Sequence, residues 1–358
     1  MSSYELLMSA SVQITPAYPP DISGVGDYSA LLSNKFRERG GSMWTLVARQ
    51  GMPDVAPMDE AVYLSEMEAE RLAQAIDGYD RVLLHFSGYG YARRGLCRWV
   101  VDGLARWKAR GNGRRLVTMF HEVYATGPIW RSSFWTAAPQ KRIARDLAML
   151  SDAGFVSSQG GQDQLARLAP GLPVQLLPVF SNVGEPEAPC ALFDRLPVAV
   201  VFGGRTRRRR VYDALARLEP SLSRALNHIG VSQIVDIGPE MQMPGEVDGC
   251  PVTALGEVSS TEVSAALLGA RIGFVDYPGH VFTKSGIVAA YFAHRLTVVN
   301  TSPIGGFPAD LVEGENFESI QRFVQEKVEH QAIADAGHQW YRLHNSDVTA
   351  EKIRAVLS

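Results

Sequence analysis

Short apolar runs alternate along this chain with longer segments in which apolar residues recur every three or four positions. The short runs at 6–14, 43–48, 81–86, 116–120, 154–157 and 174–177 read as buried strands. Between them, helical spacing predicts helices over 28–39, 66–76, 96–110, 140–150 and 162–168. The pattern halts at 182–190, a stretch rich in Pro and Glu that reads as a linker. It then restarts, with strands expected at 198–202, 234–237, 252–255, 272–275 and 296–299. Helices are expected at 209–218, 259–268, 287–293, 320–328, 332–343 and 349–357, and the hydroxyl of Ser259 suits the start of one of them. Such alternation, broken once, predicts an α/β chain with two Rossmann-like, doubly wound domains and mainly parallel sheets. The first spans 1–181, the second begins at 182.

Bulk composition narrows the partners. With 358 residues, 46% of them hydrophobic and a formal charge of −3, the chain can bury two cores and carries no net basic signature for nucleic acid. No run of about 18 apolar residues is present to span a membrane. The N-terminal stretch lacks the basic flank and apolar core of a signal peptide, so a cytoplasmic location is expected. Three widely spaced cysteines offer neither a disulfide framework nor zinc spacing.

Candidate chemistry gathers at strand ends. In 272–300 a strand, a loop holding Thr283, Lys284, Ser285 and Gly286, a helix and a second strand form a βαβ unit. The loop joins a cation and two hydroxyls to a helix N-terminus, which favours a phosphate group. Gly24 and Gly26, after the first strand, let the backbone approach a ligand, although Ser29 interrupts the G-x-G-x-x-G pattern; a plain tight turn explains them equally well. His121-Glu122 ends a buried strand, where imidazole can bond a sugar hydroxyl and the carboxylate can orient it or act as base. Five arginines in the six residues 205–210 make a local positive field. Arg205 and Arg210 suit phosphate, and Arg207 to Arg209 read as a solvated basic face. Tyr89, Tyr91, Tyr124 and Trp130 suit either stacking on sugar rings or packing.

On these residues the chain resembles the GT-B glycosyltransferases, especially the large retaining group called family 4, over most of its length. The segment 19–28 with Gly24 and Gly26 looks like that family's N-terminal loop facing the donor phosphates. His121 stands where the family places a histidine near the donor sugar. Gly204-Arg205, with Arg210 five residues on, is similar to its diphosphate-binding Gly-Arg…Lys pair, and 255–263 resembles the segment before its donor-site strand. The chain departs at the family's paired glutamates: aligning 297–299 with the family's Pro-Val-Val puts Phe282 and Ala290 at those positions. Ribose recognition must therefore differ, with Lys284 and Ser285 as the groups that compensate at the phosphate.

The resemblance implies two domains facing a cleft, the second over 182–338, and a terminal helix at 339–358 crossing back to the first. It implies a nucleotide-sugar dependent, hexosyltransferase-like enzyme acting with retention, of the kind used in polysaccharide biosynthesis. Arg205, Arg210 and Lys284 would neutralise the leaving diphosphate without a metal or other cofactor. The expected partners are a nucleotide-sugar donor and a saccharide or lipid-linked acceptor, with no nucleic acid. The basic helix at 96–110 leaves a peripheral membrane contact open. The loss of both glutamates supports a rival reading, a binding or scaffold protein that no longer catalyses; an epimerase or phosphorylase on the same fold is a third.

Overall fold

The computed structural model describes residues 11–21, 23–49, 61–125, 132–218, 220–325 and 328–358, with only the backbone of 132–135. Expectations for 1–10, for the connection at 50–60 and for Trp130 lie outside these residues. The chain divides into two compact units, Met1–Pro178 with Thr349–Ser358, and Val179–Val348.

In the first unit seven strands form one sheet: β1 (Ser11–Thr15), β2 (Met43–Val47), β3 (Ala61–Tyr63), β4 (Arg81–Phe86), β5 (Arg115–Phe120), β6 (Ala153–Val156) and β7 (Val174–Leu176). Their order is β3-β2-β1-β4-β5-β6-β7 and every pairing is parallel. Strands covered on both faces must be apolar almost throughout, which is why the runs in β4 and β5 were legible. The strand order reverses between β1 and β4, so residues from these two strands meet at the sheet's carboxyl edge.

The second unit repeats the plan with β8 (Val198–Phe202), β9 (Gln233–Ile237), β10 (Glu246–Val247), β11 (Cys250–Gly256), β12 (Ile272–Val275), β13 (Thr297–Asn300) and β14 (Glu318–Ser319). Their order is β10-β11-β9-β8-β12-β13-β14, with the β10 pairing alone antiparallel among them. Here the order reverses between β8 and β12. Ser259 caps the helix Ser260–Gly269 in a full capping box with Glu262, as the hydroxyl start foretold.

Three expectations need correction. The helix expected to start at Gln140 begins at Ser132 and runs through Pro139, where a single lost N–H does not end it. The helix expected from Arg209 begins at Arg205, because arginine is a good helix former and Gly204 supplies the cap. Strands of two or three residues (β3, β10, β14) and the helix Ser221–His228 had escaped notice, the strands because they are too short to show a period. The basic helix Arg98–Ala109 is not a free positive surface: Arg98 pairs with Asp102 and Asp146, Arg106 with Glu70 and Lys108 with Asp152. No helix among the described residues is long and apolar enough to cross a membrane.

Packing at the reversal of the second sheet is close. A Cβ on Gly273 of β12 would lie 2.2 Å from Cδ2 of the fully buried Tyr291, whose hydroxyl accepts a hydrogen bond from the Phe202 N–H at 2.9 Å. Gly273→Ala should therefore destabilise the protein by about 1–3 kcal/mol in denaturant titration. Gly245→Ala, where a Cβ meets nothing within 4 Å, should change stability by less than ~0.5 kcal/mol.

Candidate functional site

Two sets of groups stand at carboxyl strand edges, one in each unit. In the first unit, β1 leads through a turn into the helix Gly24–Glu38, whose cap Ser23 accepts a hydrogen bond from the Gly26 N–H at 3.3 Å. Gly26 is required by proximity: a Cβ there would sit 3.1 Å from the Ala17 carbonyl carbon. Gly24 meets nothing within 4 Å, so it is spared for approach rather than for packing. Past the end of β5, His121 is 8% exposed and its Nε2 lies 3.1 Å from Nδ1 of His85, the fifth residue of β4. His85 in turn lies 2.9 Å from Gln13 Oε1, on β1. Tyr28 sets its ring edge-on to both imidazoles, with centroids 5.8 Å and 5.2 Å away. Burial drives the His85 imidazole down to about 3, so it is neutral at physiological pH.

Glu122 follows His121 but is exposed, lining a crevice with Tyr89, Tyr124 and Gln140. Among the described contacts, His85 is the side chain within hydrogen-bond distance of the His121 ring. Among the aromatic candidates, Tyr91 is a packing residue: it is 1% exposed and its hydroxyl donates to the Ile14 and His85 carbonyls. Tyr89 is 48% exposed.

In the second unit the loops after β8 and β12 adjoin, since a Cβ on Gly203 would lie 2.4 Å from Ile287 Cδ1. Gly203 also has φ 131°, a conformation that side chains rarely adopt. Two helices start here, Arg205–Leu215 and Gly286–Ala293. Each helix start presents N–H groups without intrahelical acceptors, and the positive end of its dipole. Ser285 caps the second, its Oγ accepting from the Val288 N–H at 3.2 Å. Thr283 is buried and its carbonyl accepts from the Val179 N–H at 3.0 Å, while Lys284 is half-buried beside it. Gly286 begins the helix, where an added Cβ would meet only Asn182, at 3.5 Å.

The arginine run divides by helical geometry. Arg205 is exposed, and its Nε donates to the Glu240 carbonyl at 2.7 Å. Arg210 is exposed and approaches Asp276 at 3.6 Å. The expected solvated face over Arg207 to Arg209 survives only at Arg209. Arg208 falls in line with Val211, Tyr212 and Leu215, the i, i+3, i+4, i+7 positions that face inward, and is 1% exposed. It pairs with Asp236 and donates to the Gly203 carbonyl at 2.7 Å and to that of Pro239, tying together the ends of β8 and β9. Tyr212 donates to Asp236 at 2.9 Å. Arg207 bonds the Asp276 carbonyl at 2.8 Å and lies over the Tyr277 ring at 4.4 Å. Asp276 and Tyr277 carried no signal beyond following a buried strand.

Phe282 and Ala290, which stand where the resemblance calls for glutamates, are both fully buried. The Phe282 ring packs against Phe292, Phe307 and Phe317, with centroids 5.2–6.4 Å away. An aromatic cluster thus occupies the place of the first carboxylate. Among the described residues no group of three His, Cys, Asp or Glu side chains is arranged to hold a metal.

No family model matches the chain, and no curated protein matches it in sequence. Solved structures do. An alpha-glucosyltransferase (AGT) in complex with UDP aligns with a TM-score of 0.63 at 11% identity, over 98% of this chain and 99% of that one. WaaG, a glycosyltransferase involved in lipopolysaccharide biosynthesis, aligns at 0.59 and 12% identity, over 97% and 99%. The alpha,alpha-trehalose 6-phosphate synthase of Burkholderia multivorans aligns at 0.59 and 12%, over 98% and 96%. The fold is GT-B. At these identities the likeness establishes the GT-B architecture and leaves the chemistry to the residues.

Restoring the family's first carboxylate should fail here. Phe282→Glu removes a fully buried ring and buries a charge, so stability should fall by at least about 3 kcal/mol. Thermal melts with and without UDP should show that loss and no gain in nucleotide stabilisation.

Proposed function

We propose that this protein is a glycosyltransferase, of the retaining family 4 kind, that moves a sugar from a nucleoside diphosphate to a hydroxyl of a saccharide or lipid-linked acceptor. The observation that supports this reading is that the helices Arg205–Leu215, which carries Arg205 and Arg210, and Gly286–Ala293, which Lys284 precedes, follow β8 and β12, the strands between which the order of the second sheet reverses. A leaving diphosphate gains negative charge as the glycosidic bond breaks. Fixed N–H dipoles and cations at that point stabilise the transition state more than the ground state. Three cations supply this charge without a metal. His121 is assigned to a hydroxyl of the transferred sugar, and Gly24 and Gly26 to close backbone approach. Because solved GT-B neighbours hold UDP or UDP-glucose, UDP is the first nucleotide to try.

A binding protein without turnover is the second reading, favoured by the buried Phe282 and Ala290. Ligand-induced stabilisation and product release separate the two. UDP, GDP, ADP, CMP and dTDP are screened by thermal shift, and the matching donor sugars by release of nucleoside diphosphate. One nucleotide at 100 times its Kd should stabilise the protein by about 2.7 kcal/mol. Arg205→Ala and Lys284→Ala should each weaken that binding about tenfold or more. Binding with diphosphate release supports the transferase, and binding without release from any donor supports the binding protein. No shift with any nucleotide at millimolar concentration contradicts both.

A further inference from the structure

The second unit has a pocket lined by none of the residues assigned to the diphosphate. It opens at the carboxyl ends of β13 and β14, whose last residues Asn300 and Ser319 are register partners, and holds about 270 Å³. Ligands of parallel sheets collect at that edge. Asn300 is spent on the frame: its Oδ1 accepts from the Tyr277 N–H at 3.0 Å and its Nδ2 donates to the Tyr277 carbonyl at 2.9 Å. One wall is the loop 302–307, which is tied to the segment leading to Lys284. The Gly279 N–H donates to the Ile304 carbonyl at 2.7 Å, and a Cβ on Gly279 would lie 2.6 Å from the Gly305 carbonyl carbon. The other wall is the turn from Glu313 to β14, closed by the Gly314 N–H on the Phe317 carbonyl at 2.8 Å.

The lining selects a ligand by its chemistry. Phe307 is half-buried and backed by Phe317, 1% exposed, with ring centroids 4.6 Å apart, so Phe307 is the ring with surface to offer. The Glu313 carboxylate and the Gln321 amide also line the pocket, both exposed and without a hydrogen-bond partner among the described residues. Ser302 and Ser319 add hydroxyls whose oxygens accept from the Ile304 and Arg322 N–H groups at 3.5 and 3.2 Å, which leaves both protons to give. No Lys or Arg stands among the described lining residues, so nothing there compensates a phosphate. An ammonium fits no better: an exposed carboxylate attracts a cation weakly, and a cage for one needs several open rings. The pocket also lies below the roughly 300–1,000 Å³ of drug-sized sites, too small for a whole nucleotide. What remains is a neutral ring with an apolar face and an edge of hydroxyls that both give and accept hydrogen bonds.

We propose that this pocket is a saccharide subsite, which seats a neutral pyranose ring against Phe307 and bonds its hydroxyls through Glu313, Gln321 and Ser302. Phe282, which stands where the resemblance calls for the first glutamate, packs on Phe307 and Phe317 with both centroids 5.2 Å away. The aromatic cluster that displaces one carboxylate thus supports a pocket that offers another, from Glu313. The mouth of β13 and β14 lies two strand spacings, roughly 10 Å, from that of β8 and β12. That is about the span of a diphosphate and one sugar ring, so the ring is either the donor's own sugar or a unit of a separate saccharide. The subsite stands on its own lining; only the donor's sugar as its source rests on the transferase reading.

The test uses a variant that fills the pocket. Gly305 lines it, and a Cβ there meets nothing within 4 Å, so Gly305→Leu should fold as the wild type does and occupy the space. Glucose, galactose, mannose and N-acetylglucosamine are titrated by saturation-transfer NMR on the full-length protein. Choline and inorganic phosphate serve as cationic and anionic controls, and thermal melts confirm that each variant is folded. At least one sugar, free or carried on UDP, should occupy the pocket, and neither control should. Affinity for that sugar should fall about tenfold or more in Gly305→Leu and in the exposed Glu313→Ala. UDP and UDP-glucose then identify the source. A subsite for the donor's sugar makes UDP-glucose bind about tenfold tighter than UDP, a gap that closes in Gly305→Leu while UDP binding stays. A subsite for a separate saccharide leaves both nucleotides unaffected by Gly305→Leu, and the free sugar binds with UDP present. The proposal is overturned if no sugar binds at high millimolar concentration and no such gap exists. It is overturned equally if sugar binding survives Gly305→Leu, or if choline or phosphate takes the pocket instead. Sugar binding without any nucleotide binding counts against the diphosphate at the helix starts and leaves the subsite standing.

Discussion

A helix cannot satisfy its first N–H groups from within, and the second unit places two such starts side by side where β8 and β12 end. Much else there follows from keeping those ends open and close. Gly203 allows the Ile287 side chain to come against the backbone, and Gly273 makes room for the Tyr291 ring, whose hydroxyl reaches back to β8. Arg208 spends its charge on Asp236 and on two carbonyls, which secures the mouths of β8 and β9. A buried ion pair of this sort adds little net stability, since desolvation offsets attraction. What it supplies is a fixed start for the helix that carries Arg205 and Arg210.

The first unit solves a different problem. Its reversal point holds amide, imidazole and hydroxyl side chains in a line from Thr45 through Gln13 and His85 to His121. Burial keeps His85 uncharged within that line. The two units thus offer complementary chemistry on the same architecture: cations and dipoles in one, a line of hydrogen-bonding side chains in the other.

The alternation of apolar runs exposed the fold because parallel strands buried on both faces leave an unbroken signature, as in β4, β8 and β12. The loop at 283–286 and the glycines at 24 and 26 were legible for the same reason, each standing where such a strand ends. Arg208 was misread because a run of like charges hides helical phase; counting from Val211, Tyr212 and Leu215 would have turned it inward. His85 was visible only as the end of a buried strand. Its partners Gln13 and His121 lie 72 and 36 residues away, and pairing across a parallel sheet leaves no local trace. Pro139 stays inside a nineteen-residue helix because one lost hydrogen bond does not outweigh the rest.

The central claim is that a nucleoside diphosphate is held by the paired helix starts of the second unit. Amide hydrogen exchange of the full-length protein, with and without saturating UDP, tests it at the backbone itself. The account predicts slowed exchange in both 203–209 and 284–289 when UDP is bound. Binding of UDP that leaves both segments unchanged would contradict it.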